Sequence, residues 1–571
     1  MIVLGVHDGH NSGCTLVING IVISSILEER LTKNKNEVGF PKKSILECMR
    51  INKLDFKYID YVVYSSLYMH SKEKLKQIVN NYSANYLDQI KEKKLIKLKY
   101  KSNFEKQKIL RIKIIKNLFN ISTNKIFFLD HHLCHVAASY YLSDIDKSKK
   151  ILGISFDGSG DNSSGKVFIC NNGNFTEISS TSRHASLGKI YSRVTYLLGM
   201  KPWEHEYKVM GLAPYSNPKY TENIINSTFK KLIKVNEAKL TLIRKTKLSM
   251  NYCYEYLCQN LSRQRFDNVS GAIQKFTEQI LIKFVKASIK KTKIPNLVLG
   301  GGVFMNVKAN MLITKLKEVK KIFFMPSCGD ESLSMGAALY FYYLKSGDKD
   351  LNKSKINNLY FGHEFSKLEE EKVIKKKFKD KSLFKIIKTN LNKNTAKLIS
   401  NGKVIGRCVG KAEWGARALG NRSILARPDN YLIVDKINQM IKQRDFWMPF
   451  APSILEQHAF KFFEIGSKNH PYFMTLAYQT KNNKFAKLLS AASHIRDKTI
   501  RPQLVNKKVN NQYYELINEF YKLTKIPALL NTSFNLHGLP IVNSPSDAAN
   551  VFLKSGLNGL LLNNFLVLKK F

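Results

Sequence analysis

The sequence predicts an α/β protein with a duplicated N-terminal core and a second α/β domain toward the C-terminus. Three observations carry this expectation. An apolar strand, a polar glycine-containing loop, a second strand and an Asn-Gly turn follow one another over residues 2–6, 7–13, 14–18 and 19–20; the same order returns at 151–156, 157–161, 165–169 and 172–173. Short apolar runs at 126–129, 151–156, 297–299 and 321–325 each end in charged or glycine-rich residues, the pattern of strands feeding ligand-binding junctions. The 571 residues exceed one ordinary domain. Clear periodicity also fades from 340 to about 395, before a patterned segment resumes at Gly402. The expected division is therefore 1–370 and 395–571.

Taken in order, the loop His7-Asp8-Gly9-His10-Asn11-Ser12-Gly13 is able to wrap phosphate with backbone N–H groups. The charged segment 28–41 holds Lys35, a phosphate-contact candidate that taken alone reads more readily as a solvated surface lysine. Helical patterns cover 43–51 and 71–120, the second read as a lysine-rich insertion near 70–125. Residues 186–214 are helical at first, interrupted at Pro202 and closed by Gly211 to Pro214; Glu206 and Lys208 lie there, beside either a nucleotide or a buried hinge. Residues 216–267 read as helical, charged and peripheral, and 269–290 as a core helix with Val269, Ile273, Phe276 and Ile280 on its apolar face. Gly300-Gly301-Gly302 after an apolar strand suits close approach of a phosphate, or tight strand–helix packing.

His131 and His135 stand one helical turn apart in Asp130-His131-His132-Leu133-Cys134-His135, so both imidazoles are able to face one cation. Asp157 and Asp330 follow apolar runs in similar junctions. Two imidazoles with one or two carboxylates suit a borderline divalent ion such as iron, manganese or zinc, whereas calcium asks for more oxygens. In the C-terminal part, Gly415-Ala416-Arg417-Ala418-Leu419-Gly420, Lys442-Gln443-Arg444 and Asn531-Thr532-Ser533 gather cations and amides beside glycine breaks, a composition suited to an anion pocket.

The formal charge of +48 would draw polyanions at low salt. The lysines recur along most of the chain, without a nucleic-acid module or aromatic stacking platform, so they read as solvated faces. Eight scattered cysteines without a CxxC pair fit a reducing compartment. No signal peptide and no run of membrane-spanning length is read, and a cytoplasmic location is expected.

Together these segments resemble the carbamoyltransferase family that includes nodulation-factor and antibiotic O-carbamoyltransferases. The resemblance runs along nearly the whole chain. It is carried by His10-Asn11-Ser12, Glu29-Arg30 with Lys35, the 131–135 histidines, Ser186-Leu187-Gly188 through Glu206-Tyr207-Lys208-Val209-Met210-Gly211, and Gly301-Gly302-Val303 with Asn306. Gly329-Asp330, Arg417 through Leu425, Lys442 with Arg444, Pro449-Phe450-Ala451-Pro452, Arg501 with Gln503, and Asn531 through Asn535 complete the set.

The resemblance implies an actin-like ATPase core, similar to the enzyme that transfers threonylcarbamoyl to tRNA adenosine, followed by a YrdC-like α/β domain. It implies that ATP and carbamoyl phosphate give carbamoyl adenylate, whose carbamoyl group passes to a hydroxyl of a sugar-containing or other specialised metabolite. It assigns a divalent metal, Fe2+ foremost with Mn2+ or Zn2+ as alternatives, to His131, His135, Asp157 and Asp330. It makes His10, with Asp8 nearby, the catalytic base, and gives Lys35, Glu206, Lys208, Gly301, Gly302 and Asn306 to the nucleotide or adenylate. Arg417, Lys442, Arg444, Arg501, Asn531 and Ser533 would bind carbamoyl phosphate and ATP, which arrives with Mg2+. The partner is a small-molecule hydroxyl acceptor, and a homodimer stays open. Asn11, Asp161, His205, the Glu331-Ser332 pair, Ala416 and the 497–501 tract depart from the family pattern. Competing readings are a tRNA adenosine carbamoylating enzyme, a sugar-kinase-like or chaperone-like ATPase, and a nucleic-acid-binding protein without transfer activity.

Overall fold

The computed structural model describes residues 1–80, 82–83, 86–468 and 471–570 of the protein. Positions 81, 84 and 85 of the expected lysine-rich insertion lie outside the described residues. The chain divides into two units: Met1–Glu28 with Asn36–Ile356, and Glu29–Lys35 with Asn357–Phe571.

The first unit contains two five-stranded sheets. One is built from β1 (Ile2–His7), β2 (Gly13–Ile18), β3 (Ile21–Leu27), β4 (Tyr61–Tyr64) and β5 (Ile126–Phe128), in the order β3-β2-β1-β4-β5. The other uses β6 (Ile151–Gly160), β7 (Ser163–Asn171), β8 (Asn174–Ser182), β11 (Asn296–Gly300) and β12 (Lys321–Phe324), in the order β8-β7-β6-β11-β12. Each sheet opens with an antiparallel meander and continues with two parallel strands. The duplication expected from the sequence is thus present strand for strand. Both Asn-Gly turns have positive φ at each residue, Asn19 (49°) with Gly20 (81°) and Asn172 (47°) with Gly173 (80°), the geometry that matches the twist of a two-residue hairpin.

Between the sheets lie the helices His131–Leu142 and Leu333–Ser346, each buried along nearly its whole circumference. Such all-round burial requires apolar and small residues on every face, as both sequences show. The helices meet at Gly336, where an added Cβ would stand 1.8 Å from the Cys134 carbonyl oxygen. This backbone contact brings the start of the histidine helix beside the turn that carries Asp330.

The helices Lys42–Ile51 and Phe266–Thr292 fall where the periodicity puts them, and Val269, Ile273, Phe276 and Ile280 are buried. The expected insertion contains helices Lys72–Asn80 and Tyr86–Phe119. Residues 216–267 are not wholly helical: β9 (Ile233–Asn236) pairs with β10 (Thr241–Arg244). The alternation of Ile233 and Val235 with exposed Lys234 is a strand signal that the surrounding charge obscured.

The second unit is organised on an eight-stranded sheet. Its strands, in order, are Phe384–Ile387, Leu566–Lys569, Gly559–Leu562, Ile405–Cys408, Arg422–Ala426, Ala528–Ser533, Ala451–Leu455 and Gln503–Val505. The stretch 340–395 is more ordered than its lost periodicity predicts. Helix Lys367–Lys377 starts in a capping box between Ser366 and Glu369, and Phe384–Ile387 is an edge strand of this sheet.

Gly336→Ala should lower the unfolding free energy by about 1–3 kcal/mol, because the methyl meets backbone that cannot turn aside. Urea denaturation measures this; a stability equal to wild type would contradict the close helix contact.

Candidate active site

Asp130 ends the run from β5 and caps the histidine helix, its Oδ1 accepting from Leu133 N at 2.9 Å. Asp161 supports the same helix start by accepting from His131 N at 2.8 Å and from Leu67 N and Tyr68 N at 2.9 Å. The cap and the helical period then present His131 and His135 on one face, with ring centroids 4.8 Å apart.

Asp157 Oδ2 lies 3.2 Å from His131 Nε2 and 3.4 Å from His135 Nε2. Asp330 Oδ1 lies 3.7 and 3.6 Å from the same two nitrogens. One donor atom from each residue falls within 4.8 Å of all the others. Donors about 3–3.5 Å apart are what bonds of about 2.0–2.2 Å to a shared ion produce.

The hydrogen bonding fits an ion as well. Ser332 Oγ donates to Gly329 O at 2.9 Å, so it must accept from His135 Nδ1, 3.2 Å away. That arrangement keeps the hydrogen on Nδ1, so Nε2, beside the carboxylates, is the nitrogen that would offer its lone pair to an ion. His135 Nε2 and Asp330 Oδ1 are buried without a hydrogen-bond partner, as expected of atoms meant to coordinate. Burial opposes charge at all four residues, yet the carboxylates push His131 up to about 9 and the imidazoles hold Asp157 well below the usual carboxylate range. His132 turns away, 2.9 Å from Ser155 Oγ, and burial pulls it down to about 3.

His10 Nε2 stands 3.3 Å from Asp330 Oδ2, the oxygen that faces away from the histidine pair. Its ring packs on Trp203 at 4.5 Å, and its carbonyl accepts from His7 Nε2 at 3.0 Å. Burial drives His7 down to about 4. Asp8 does not orient His10. Both of its oxygens accept from Arg111 at 2.9 Å, a buried pair that also lies against Tyr64. Arg111 was missed in the sequence, although it is the sole arginine among the lysines of the insertion.

Gly302 reaches the cluster: an added Cβ would lie 2.8 Å from Asp157 Oδ1. Gly301, at φ 92°, would bring a Cβ to 2.3 Å from the Phe156 carbonyl oxygen, so this turn needs glycine. Asn306 caps the helix Val307–Thr314 and exchanges amide hydrogen bonds with Gln274, occupations that hold it in the scaffold. Glu206 accepts from Ser192 Oγ at 2.9 Å and Trp203 N at 2.8 Å, and burial raises its carboxyl. Lys208 lies on the same helix, Glu206–Leu212. Lys189 is a further cation missed by the sequence reading; it sits over Trp203 near Gly158, and burial, then Arg193, lowers its ammonium to about 8.

In the second unit, Lys442 Nζ donates to Ser533 Oγ at 3.2 Å and to Asn535 Oδ1 at 2.7 Å. It closes a π-helical turn, Asn438–Lys442. Burial, with Arg444 and Lys35 nearby, holds its ammonium well below the usual range. Lys35 lies near Lys442, and the segment Glu29–Lys35 is part of this unit. Arg444 donates to Thr532 Oγ1 at 3.1 Å, and Asn531 Nδ2 donates to Ser453 Oγ at 3.0 Å and Ala418 O at 3.1 Å. The buried Asn531 Oδ1 has no hydrogen-bond partner. Arg417 adjoins Ala418, and Arg501 lies just before Gln503, whose Oε1 accepts from Ser453 Oγ at 2.7 Å.

Residues 2–339 match the model of the carbamoyltransferase N-terminus and 396–569 that of the carbamoyltransferase C-terminus. The chain belongs to the carbamoyltransferase family and is an enzyme of that class. An uncharacterized Methanocaldococcus jannaschii protein, MJ1051, is 33% identical over 99% of this chain and 99% of its own length. Nodulation protein NolNO of Sinorhizobium fredii is 29% identical over 98% of this chain and 79% of its own. Among solved structures, full-length HypF in the phosphate- and nucleotide-bound form aligns with 61% of this chain and 56% of its own at a TM-score of 0.35 and 13% identity. No helix among the described residues is long and apolar enough to cross a membrane.

Ser332→Ala frees the His135 tautomer and should weaken Mn2+ or Fe2+ binding by about tenfold or more. Titration calorimetry reads the affinity. Unchanged binding would exclude Ser332 as the group that orients the ligand.

Proposed function

We propose that this enzyme activates carbamoyl phosphate with ATP and passes the carbamoyl group to a hydroxyl of a sugar-containing or other specialised metabolite. The observation that carries the reading is the double engagement of Asp330, with one oxygen toward the histidine pair and the other toward His10. This arrangement supports reading His10 as a proton acceptor beside a cation site.

The first half of the reaction belongs to the YrdC-like second unit. Water releases phosphate from carbamoyl phosphate; the carbamate oxygen then attacks the α-phosphorus of ATP, and pyrophosphate leaves as carbamoyl adenylate forms. Lys442, Arg444, Arg417, Arg501 and Lys35 supply positive charge along the phosphates, while Asn531 and Ser533 orient the small planar amide. The depressed Lys442 ammonium is one that an incoming anion would re-stabilise.

The second half belongs to the actin-like unit. His131, His135, Asp157 and Asp330 would hold the divalent ion, which when bound supplies Lewis-acid charge to the adenylate phosphate. Gly301 and Gly302 leave room for the nucleotide beside Asp157. As the acceptor oxygen bonds to the carbamoyl carbon, the His10 imidazole takes its proton and the bond to AMP breaks. His7 steadies the His10 backbone and Trp203 its ring.

Purified protein with ATP, carbamoyl phosphate, Mg2+ and Mn2+ should release pyrophosphate only when carbamoyl phosphate is present. Lys442→Ala should lower that rate by about 100-fold or more and leave Mn2+ affinity unchanged. Release without carbamoyl phosphate would overturn the reading, and modification of bulk tRNA would redirect it to a nucleic-acid acceptor.

A further inference from the structure

The turn that carries His10 has an unusual backbone. Asn11 stands at φ 53°, a region that residues with side chains seldom occupy and that asparagine tolerates better than most. Its side chain has a specific partner: Asn11 Nδ2 donates to Glu331 Oε2 at 3.4 Å. Glu331 is 4% exposed, and its other oxygen accepts from Ser327 Oγ. Gly329 closes the third side, since a Cβ there would lie 2.4 Å from Glu331 Oε2. The carboxylate is therefore boxed in and offers Asn11 a fixed acceptor.

The two sides of the site meet residue against residue. His10 faces Asp330 at 3.3 Å, and the next residue on each side, Asn11 and Glu331, faces the other. A carboxylate at position 11 would face Glu331 about 3.4 Å away with Asp330 adjacent, and three clustered carboxylates repel. An amide opposite a carboxylate avoids that conflict and makes a directional bond.

We propose that Asn11 and Glu331 are a matched positioning pair: Glu331, fixed by Ser327 and Gly329, holds the Asn11 amide and so aims the His10 ring at Asp330. The role in turnover rests on the reading of His10 as the proton acceptor in carbamoyl transfer. The structural coupling stands apart from that reading.

The test uses the full chain in four forms: wild type, Asn11→Asp, Glu331→Gln and the double exchange N11D/E331Q. The double exchange reverses donor and acceptor while leaving an oxygen for Ser327, so the bond is kept. Diethylpyrocarbonate modification of His10, whose side chain is 25% exposed, reports ring placement by peptide mass spectrometry at one fixed pH. Each single variant should change that rate about threefold or more, and the double exchange should return it to within about twofold of wild type.

AMP formation from ATP and carbamoyl phosphate, with water in the acceptor's place, should fall about tenfold in each single variant and recover in the double. Pyrophosphate release in the first half-reaction should stay level throughout. Single effects that simply multiply in the double exchange would overturn the pairing. If a single variant fails to fold, failure of the double exchange to regain the wild-type near-ultraviolet dichroism and His10 rate would overturn it equally. Wild-type protein that releases no pyrophosphate with carbamoyl phosphate would instead remove the functional reading, leaving the His10 rates to decide the pair.

Discussion

The carboxylate of Asp330 and the helix packing behind it are the constraint on which the first unit's site depends. Asp330 leads into the Leu333–Ser346 helix, and that helix touches the His131–Leu142 helix through bare backbone at Gly336. Because the two helices approach so closely, their N-terminal ends converge. Asp330 is then able to face two imidazoles with one oxygen and His10 with the other. A larger side chain at the crossing would separate the ends and pull the donor set apart.

Concentrating this many ionisable groups indoors is costly unless each has a partner. The cluster answers with reciprocal pairing: carboxylates keep His131 charged against the effect of burial, and the imidazoles keep Asp157 ionised. Around it a shell of directed hydrogen bonds fixes orientation, through Ser332 on His135, Asp161 on the helix start and His7 on His10. Arg111 does the same for the next residue of the loop, neutralising Asp8 and tying the β1–β2 turn to the Tyr86–Phe119 helix. Arg111 shows that an individual cation can be structural in the interior while its lysine neighbours face solvent.

The second unit solves a different problem with different groups. Of its candidate anion-binding residues, Asn531 and Ser533 come from one strand, Ala528–Ser533, and Lys442 ends a π-helical turn. Amides and hydroxyls hold the Lys442 ammonium, while Asn531 keeps an acceptor oxygen without a partner. A buried cation held by neutral dipoles alone retains affinity for an anion, whereas one paired with a carboxylate would have spent it.

Periodicity and turn chemistry determined much of this in advance. The paired Asn-Gly turns announced the duplication because few residue pairs tolerate two successive positive φ values, and the HxxxH spacing placed two imidazoles on one helical face. The strand-end positions of Asp157 and Asp330 marked them as candidates without joining them to the histidines. Only the tertiary structure decided which groups meet. It showed that Asp8 serves Arg111 rather than His10, that Lys35 sits with Lys442, and that Asn11 touches Glu331. It also recovered the β9–β10 hairpin and the capped helix at Lys367–Lys377 from stretches whose lysines hid their pattern. Local sequence fixes dihedral preference and the face a side chain takes, whereas contacts between residues hundreds of positions apart arise from how sheets and helices pack, which no window of neighbouring residues encodes.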